Sequence, residues 1–193
     1  MRKVLFALLI VFVAATGICS AATLSPGVGN EDNSPKVQST FFGVSFGERN
    51  PWDKMAGLKG GWYLTSSSTD NYCSKNRFDV SFAGFNWTDL MVCTVKERFS
   101  DINFGLVTSN KKEAVQRYRS VLEVLSEKYP MEVLPSDESD DDGRQTEQKV
   151  IYSDGVNFVV LSLICDVENY TCLLGYYNHK AFEIRRKSDF DEL

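Results

Sequence analysis

Residues 110–130, NKKEAVQRYRSVLEVLSEKYP, decide the fold class. Ala114, Val115, Tyr118, Val121, Leu122, Leu125 and Tyr129 recur at i, i+3, i+4 and i+7. Lys, Glu, Gln and Arg fill the positions between them. This period predicts an amphipathic helix from Lys111 to about Tyr129 that lays one stripe on a core. Asn110 is a natural N-cap, and Pro130 ends the helix because proline has no N–H to donate.

The sequence on both sides changes period from helical to twofold. Upstream, Arg77 to Gly84 alternates Phe78, Val80 and Phe82. Leu90 to Phe99 places Leu90, Val92 and Thr94 on one face and Met91, Cys93 and Val95 on the other. Ile102 to Val107 is a shorter strand. Downstream, Lys149–Ser153, Val156–Asp166 and Tyr170–Tyr177 read as strands, the first two joined by the turn pair Asp154-Gly155. Trp62 to Leu64 and Met131 to Leu134 are short strand candidates. Asn50-Pro51 opens a second, shorter helix to about Leu58. Together these predict an α+β protein with two helices packed on one side of a curved antiparallel sheet. It is built as two similar helix-then-strands halves, 40–108 and 109–183, and is followed by a charged tail, 184–193.

The N-terminus carries an export signal. Arg2 and Lys3 precede an uncharged apolar run, Val4 to Ala15, and small residues end at Ala21. Residues 1–21 are expected to be a signal peptide, leaving 193 − 21 = 172 residues. Residues 22–39 read as a flexible leader, poor in large apolar groups. Ile18 stands where lipoprotein processing needs a small residue, so lipid anchoring through Cys19 ranks below cleavage after Ala21. The expected destination is periplasmic or extracellular, with no transmembrane segment in the mature chain. The net charge of −5 includes Arg2 and Lys3, so the mature chain is near −7. With no basic, aromatic-interleaved patch, nucleic acid is not an expected partner.

In an oxidising compartment, an even set of cysteines (Cys73, Cys93, Cys165, Cys172) suggests two disulfides. Cys165 and Cys172 flank a hairpin turn and can fall opposite each other; Cys73 and Cys93 then pair by elimination. Four cysteines allow three connectivities. No CxxC is present, and His179 is the only histidine, so neither zinc nor thiol redox chemistry is expected.

No catalytic constellation stands out. A Ser–His relay would have to pass through His179, and no GxSxG is present. Glu138, Asp140 and Asp142 fit calcium-loop positions 1, 3 and 5, but Lys149 occupies position 12. Asn86-Trp87-Thr88 and Asn169-Tyr170-Thr171 are glycosylation sequons. Asp191-Glu192-Leu193 only loosely matches a retention tail. Thirteen Phe, eight Tyr and three Trp fit either a β-rich core or an exposed aromatic face. No cofactor is expected.

Phe42-Gly43-Val44-Ser45-Phe46-Gly47, Leu125-Ser126-Glu127-Lys128-Tyr129-Pro130 and Leu173-Leu174-Gly175-Tyr176-Tyr177-Asn178 resemble segments of a Bacteroides-type family of exported bacterial proteins. The architecture is similar to the tandem helix-plus-sheet repeat of the β-lactamase inhibitor protein and to small outer-membrane assembly lipoproteins. The resemblance implies a fold and export; no site residue carries over. The expected function is a non-enzymatic binding module that meets a protein partner through its sheet face. The alternative is a secreted hydrolase using paired carboxylates.

Overall fold

The computed structural model describes residues 34–55, 58, 61–68, 72–134 and 145–184. They form an α+β fold dominated by one eight-stranded antiparallel sheet. The strands of the first half are β3 (Tyr63–Ser68), β4 (Tyr72–Phe82), β5 (Phe85–Val95) and β6 (Arg98–Thr108). Those of the second are β7 (Glu132–Leu134), β8 (Gln145–Ser153), β9 (Asn157–Cys165) and β10 (Tyr170–Asn178). Each half is a meander, and the two meet through their last strands, giving the order β3-β4-β5-β6-β10-β9-β8-β7. At this seam Leu174 faces Phe104 and Cys172 faces Leu106.

The long helix, α2 (Lys111–Ser126), forms where its apolar period requires. Asn110 caps it, its side chain accepting the N–H groups of Lys112 (3.1 Å) and Glu113 (3.4 Å). Ala114, Tyr118, Val121 and Leu125 are buried in one cluster with Phe104, Leu106, Leu161, Leu163, Cys172 and Leu174. These strand residues alternate with others that point away from α2. The expected second helix is a single turn, α1 (Pro51–Lys54), and Asn50 makes no side-chain capping bond. Of the two expected helices, only α2 has the length to lay a stripe on the sheet.

Two stretches depart from the sequence reading. The strand expected to run from Leu90 to Phe99 turns at Lys96 and Glu97, both with left-handed backbones (φ 50° and 62°). A tight hairpin turn needs positive φ at its central residues, and a Lys-Glu pair gives no sign of it. The strand candidate expected to end at Leu64 runs on through Ser68. It pairs with β4 at the sheet edge, where apolar alternation is not required.

The packed chain begins before Thr40. Val37 is buried, its N–H reaches Asp154 Oδ2 (2.8 Å), and Tyr152 donates its hydroxyl to the Pro35 carbonyl (2.9 Å). A hairpin of β1 (Thr40–Phe41) and β2 (Val44–Ser45) follows. It drives Phe41 into a nest of Phe46, Phe82, Phe99, Phe104 and Tyr176, which accounts for much of the aromatic content as core. At the other end, residues 179–184 form a last helical turn, α3. Its Phe182 stands edge-on to Phe158; of the expected charged tail, residues 185–193 lie outside the described residues.

Candidate functional site

The four candidate disulfide cysteines are not joined: no disulfide is formed among the described residues. Strand register explains why. Cys73 faces Thr94, and Cys93 faces Ser74. Cys73 and Cys93 are thus one residue out of register and project from opposite faces of the sheet. Cys165 faces Tyr170, and Cys172 faces Leu163, so this pair is diagonal rather than opposed. Cys172 is sealed under α2, and burial pushes its thiol up to about 12.

Other sequence candidates resolve plainly. His179 Nε2 lies 2.8 Å from Ser153 Oγ, so the nucleophile and base types do meet. The same oxygen accepts the Gly155 N–H (3.1 Å), which makes Ser153 a turn cap. Asp154 accepts backbone N–H groups from Val37, Val156 and Asn157 rather than orienting the imidazole. Asn86 is exposed beside the β4–β5 turn, and Asn169 sits in the β9–β10 turn. Glu138, Asp140 and Asp142 lie outside the described residues. Among the described residues no three His, Cys, Asp or Glu side chains gather as metal ligands.

The face of the sheet away from α2 holds the chemistry that the sequence did not announce. At its centre Asp101 and Asn103 are 3% and 4% exposed. Ser100 Oγ donates to Asp101 Oδ2 (2.8 Å), Asn103 Nδ2 to Asp101 Oδ1 (3.3 Å), and the Tyr177 hydroxyl to Asn103 Oδ1 (2.5 Å). Gly175 lies between Val160 and Asn103 in this row. A Cβ there would collide with the Tyr177 hydroxyl and Asn103 Oδ1.

Toward the β3 edge lies the most irregular corner of the sheet. Asp79 has a left-handed backbone (φ 54°), unusual for a residue inside a strand. The β4–β5 register passes from Phe78↔Asp89 to Val80↔Trp87, leaving Asp79 and Thr88 outside the paired positions. On its other side, β5 pairs with β6 no further than Asp89↔Gly105. Thr88 Oγ1 fills the break: it accepts the Val107 N–H (3.0 Å) and lies 3.1 Å from the Gly105 carbonyl and 2.8 Å from Asp89 Oδ2.

Asp89 therefore stands at a ladder opening beside the bare backbone of Gly105, half-buried. Burial pushes its carboxyl above the usual range, the Thr88 hydroxyl opposes this, and the Asp79 charge adds to it. Its cross-strand partner Phe78 is 55% exposed and stacks on Tyr63, ring centres 5.2 Å apart. Burial raises the Tyr63 phenol, the Asp89 charge adds to that, and a hydrogen bond with Asn76 offsets part of it. Perturbed acids beside irregular backbone and an exposed aromatic mark a candidate site. One sequence signal existed: an aspartate inside the apolar run Trp87-Thr88-Asp89-Leu90-Met91-Val92.

The chain matches no family model, no curated protein and no solved structure.

Proposed function

We propose that this chain is an exported binding module whose working surface is the Asp89 corner of the sheet face turned away from α2. The observation that carries the reading is the Asp89 corner. A half-buried carboxyl, a ladder opening and an exposed phenyl ring stacked on Tyr63 meet there, on the face that α2 does not cover. Core packing does not require a carboxyl to be desolvated next to a second aspartate. The reading follows the N-terminal signal for its location and takes a protein as its partner.

In the same reading, the segment around α1 is the counterpart of α2 on the same face, over the β4–β5 end of the sheet. Lys75 and Arg77 face Val92 and Leu90 of the α2 core, and their cations lie over the rings of Trp52 and Trp62. This supports a tandem architecture of the kind found in the β-lactamase inhibitor protein, each half a helix and a meander.

Affinity capture from an extract of exported proteins tests the surface, using wild type, Phe78→Ser and Val124→Ser in parallel. Val124 is an exposed apolar residue on α2 and serves as the control. The reading expects a species held by wild type and Val124→Ser and released by Phe78→Ser. Identical capture by all three would overturn it.

A secreted hydrolase is the second reading, favoured by one observation: the Asp79 charge acts on the raised Asp89 carboxyl. Two carboxyls that act on one another from different environments are what general acid–base hydrolysis uses.

A further inference from the structure

We infer that the Asp89 corner binds a neutral polyhydroxylated ring, the chemistry of a sugar residue in a glycan. This goes beyond the protein-binding reading and rests on its placing the working surface at this corner. The argument starts from the polar and apolar groups that converge there. A sugar ring has an apolar face of C–H groups and a rim of hydroxyls, each both donor and acceptor. Phe78 supplies an exposed aromatic surface, backed and held by the Tyr63 ring at an interplanar angle of 27°. Next to it, across one strand pairing, Asp89 turns one carboxyl oxygen to Thr88, while no described residue donates to Oδ1.

The electrostatics select against an anion. Burial and the Asp79 charge raise the Asp89 carboxyl, and in either protonation state it can bond a hydroxyl, which both donates and accepts. An anion would meet Asp79 and Asp89 together and be repelled. Gly105, opposite Asp89, leaves the sheet floor without a side chain, its Cβ position already 3.5 Å from Asp89 Cβ. A ring that stacks on Phe78 therefore meets the carboxyl from the side rather than being pushed off by a neighbouring strand.

The test is native electrophoresis of the full chain through gels containing starch, xylan, mannan or mixed-linkage β-glucan. The variants are Phe78→Ala, Asp89→Asn, Asp89→Ala and the control Val124→Ser. At least one polysaccharide is expected to retard wild type and Val124→Ser. Phe78→Ala and Asp89→Ala should lose about tenfold or more in affinity, whereas Asp89→Asn, which keeps a donor and an acceptor, should retain most of it. Melting curves confirm that each variant is folded; Phe78 is exposed enough for its truncation to be tolerated. Retardation by none of the four polysaccharides, or retardation untouched by Phe78→Ala, overturns the inference. If Phe78→Ser still loses a captured partner, the wider reading of the face survives that failure. Reducing ends released from the bound polysaccharide by wild type but not by Asp89→Asn would support the inference and assign the site a hydrolytic role.

Discussion

Tyr177 reaches Asn103 across the central seam of the sheet, hydroxyl to Oδ1 at 2.5 Å, because Gly175 has no side chain to block it. The bond joins the last strands of the two halves on the face away from α2. It is the end of a chain that continues through Asp101 to Ser100.

Gly175→Ala should break this link. The new methyl would stand against the Tyr177 hydroxyl, the Tyr177 ring and Asn103 Oδ1, so both side chains must move. Overpacking of this kind costs about 1–3 kcal/mol. Tyr177→Phe alone should cost about 1 kcal/mol, the usual net value of a hydrogen bond. In the Gly175→Ala background the same change should cost less, since the bond it removes is already broken. Urea denaturation of the four proteins closes the cycle, and simple additivity would contradict the contact.

The cap of α2 offers a cleaner number. Asn110→Ala removes the acceptor of two backbone N–H groups and should destabilise by about 1 kcal/mol. Leu125→Ala, which empties a buried position of the α2 stripe, should cost about 2–5 kcal/mol. Thermal melting of both variants checks the order: the core truncation must exceed the cap loss.

The cysteines give a covalent test. With no disulfide among Cys73, Cys93, Cys165 and Cys172, unfolding without reductant in the presence of iodoacetamide should alkylate all four. In the folded protein, Cys172 should resist, being buried and held as a thiol by a pKa pushed up to about 12. Intact mass and peptide mapping read both outcomes. Recovery of a Cys165–Cys172 peptide pair would require a different β9–β10 register.

These cysteines also mark where the sequence stops being informative. Helical and twofold periods are local, so α2 and the strands of both halves can be read from residues such as Tyr118, Leu125, Phe104 and Leu174. The face on which Cys73 and Cys93 emerge depends on register parity, which one residue reverses. For these two strands parity is set by the two-residue turn Ala83-Gly84, where Ala83 takes a positive φ with no residue signature. The Asp89 corner is hidden for the same reason: its ladder break comes from backbone at Asp79 and Thr88, not from a motif.

Asp154 predicts a pH dependence of one sign. Burial acts to raise its carboxyl, but backbone N–H groups from Asn157, Val156 and Val37 outweigh it and hold the pKa below the usual range. A lowered native pKa means that the unfolded chain binds the proton more readily. The stabilisation is full above the unfolded carboxylate pKa and is lost as pH falls through the native one. Asp154→Asn should therefore melt below wild type at pH 7, with the gap closing toward pH 2–3.

Asp89 predicts the opposite sign, and this is the sharpest test of the claim that its corner serves function rather than stability. Its native pKa is raised, so the folded chain keeps the proton longer. Stability is full below the unfolded pKa, falls as pH rises through the native value, and stays lowered beyond it. A carboxyl retained at that cost is typical of a functional site. The deciding measurement is the melting temperature of Asp89→Asn against wild type from pH 3 to pH 7. The account predicts that Asp89→Asn melts higher at pH 7 and that the difference disappears by pH 3. An Asp89→Asn protein that melts lower than wild type at pH 7 would show that the carboxylate holds the fold together, and would contradict the account.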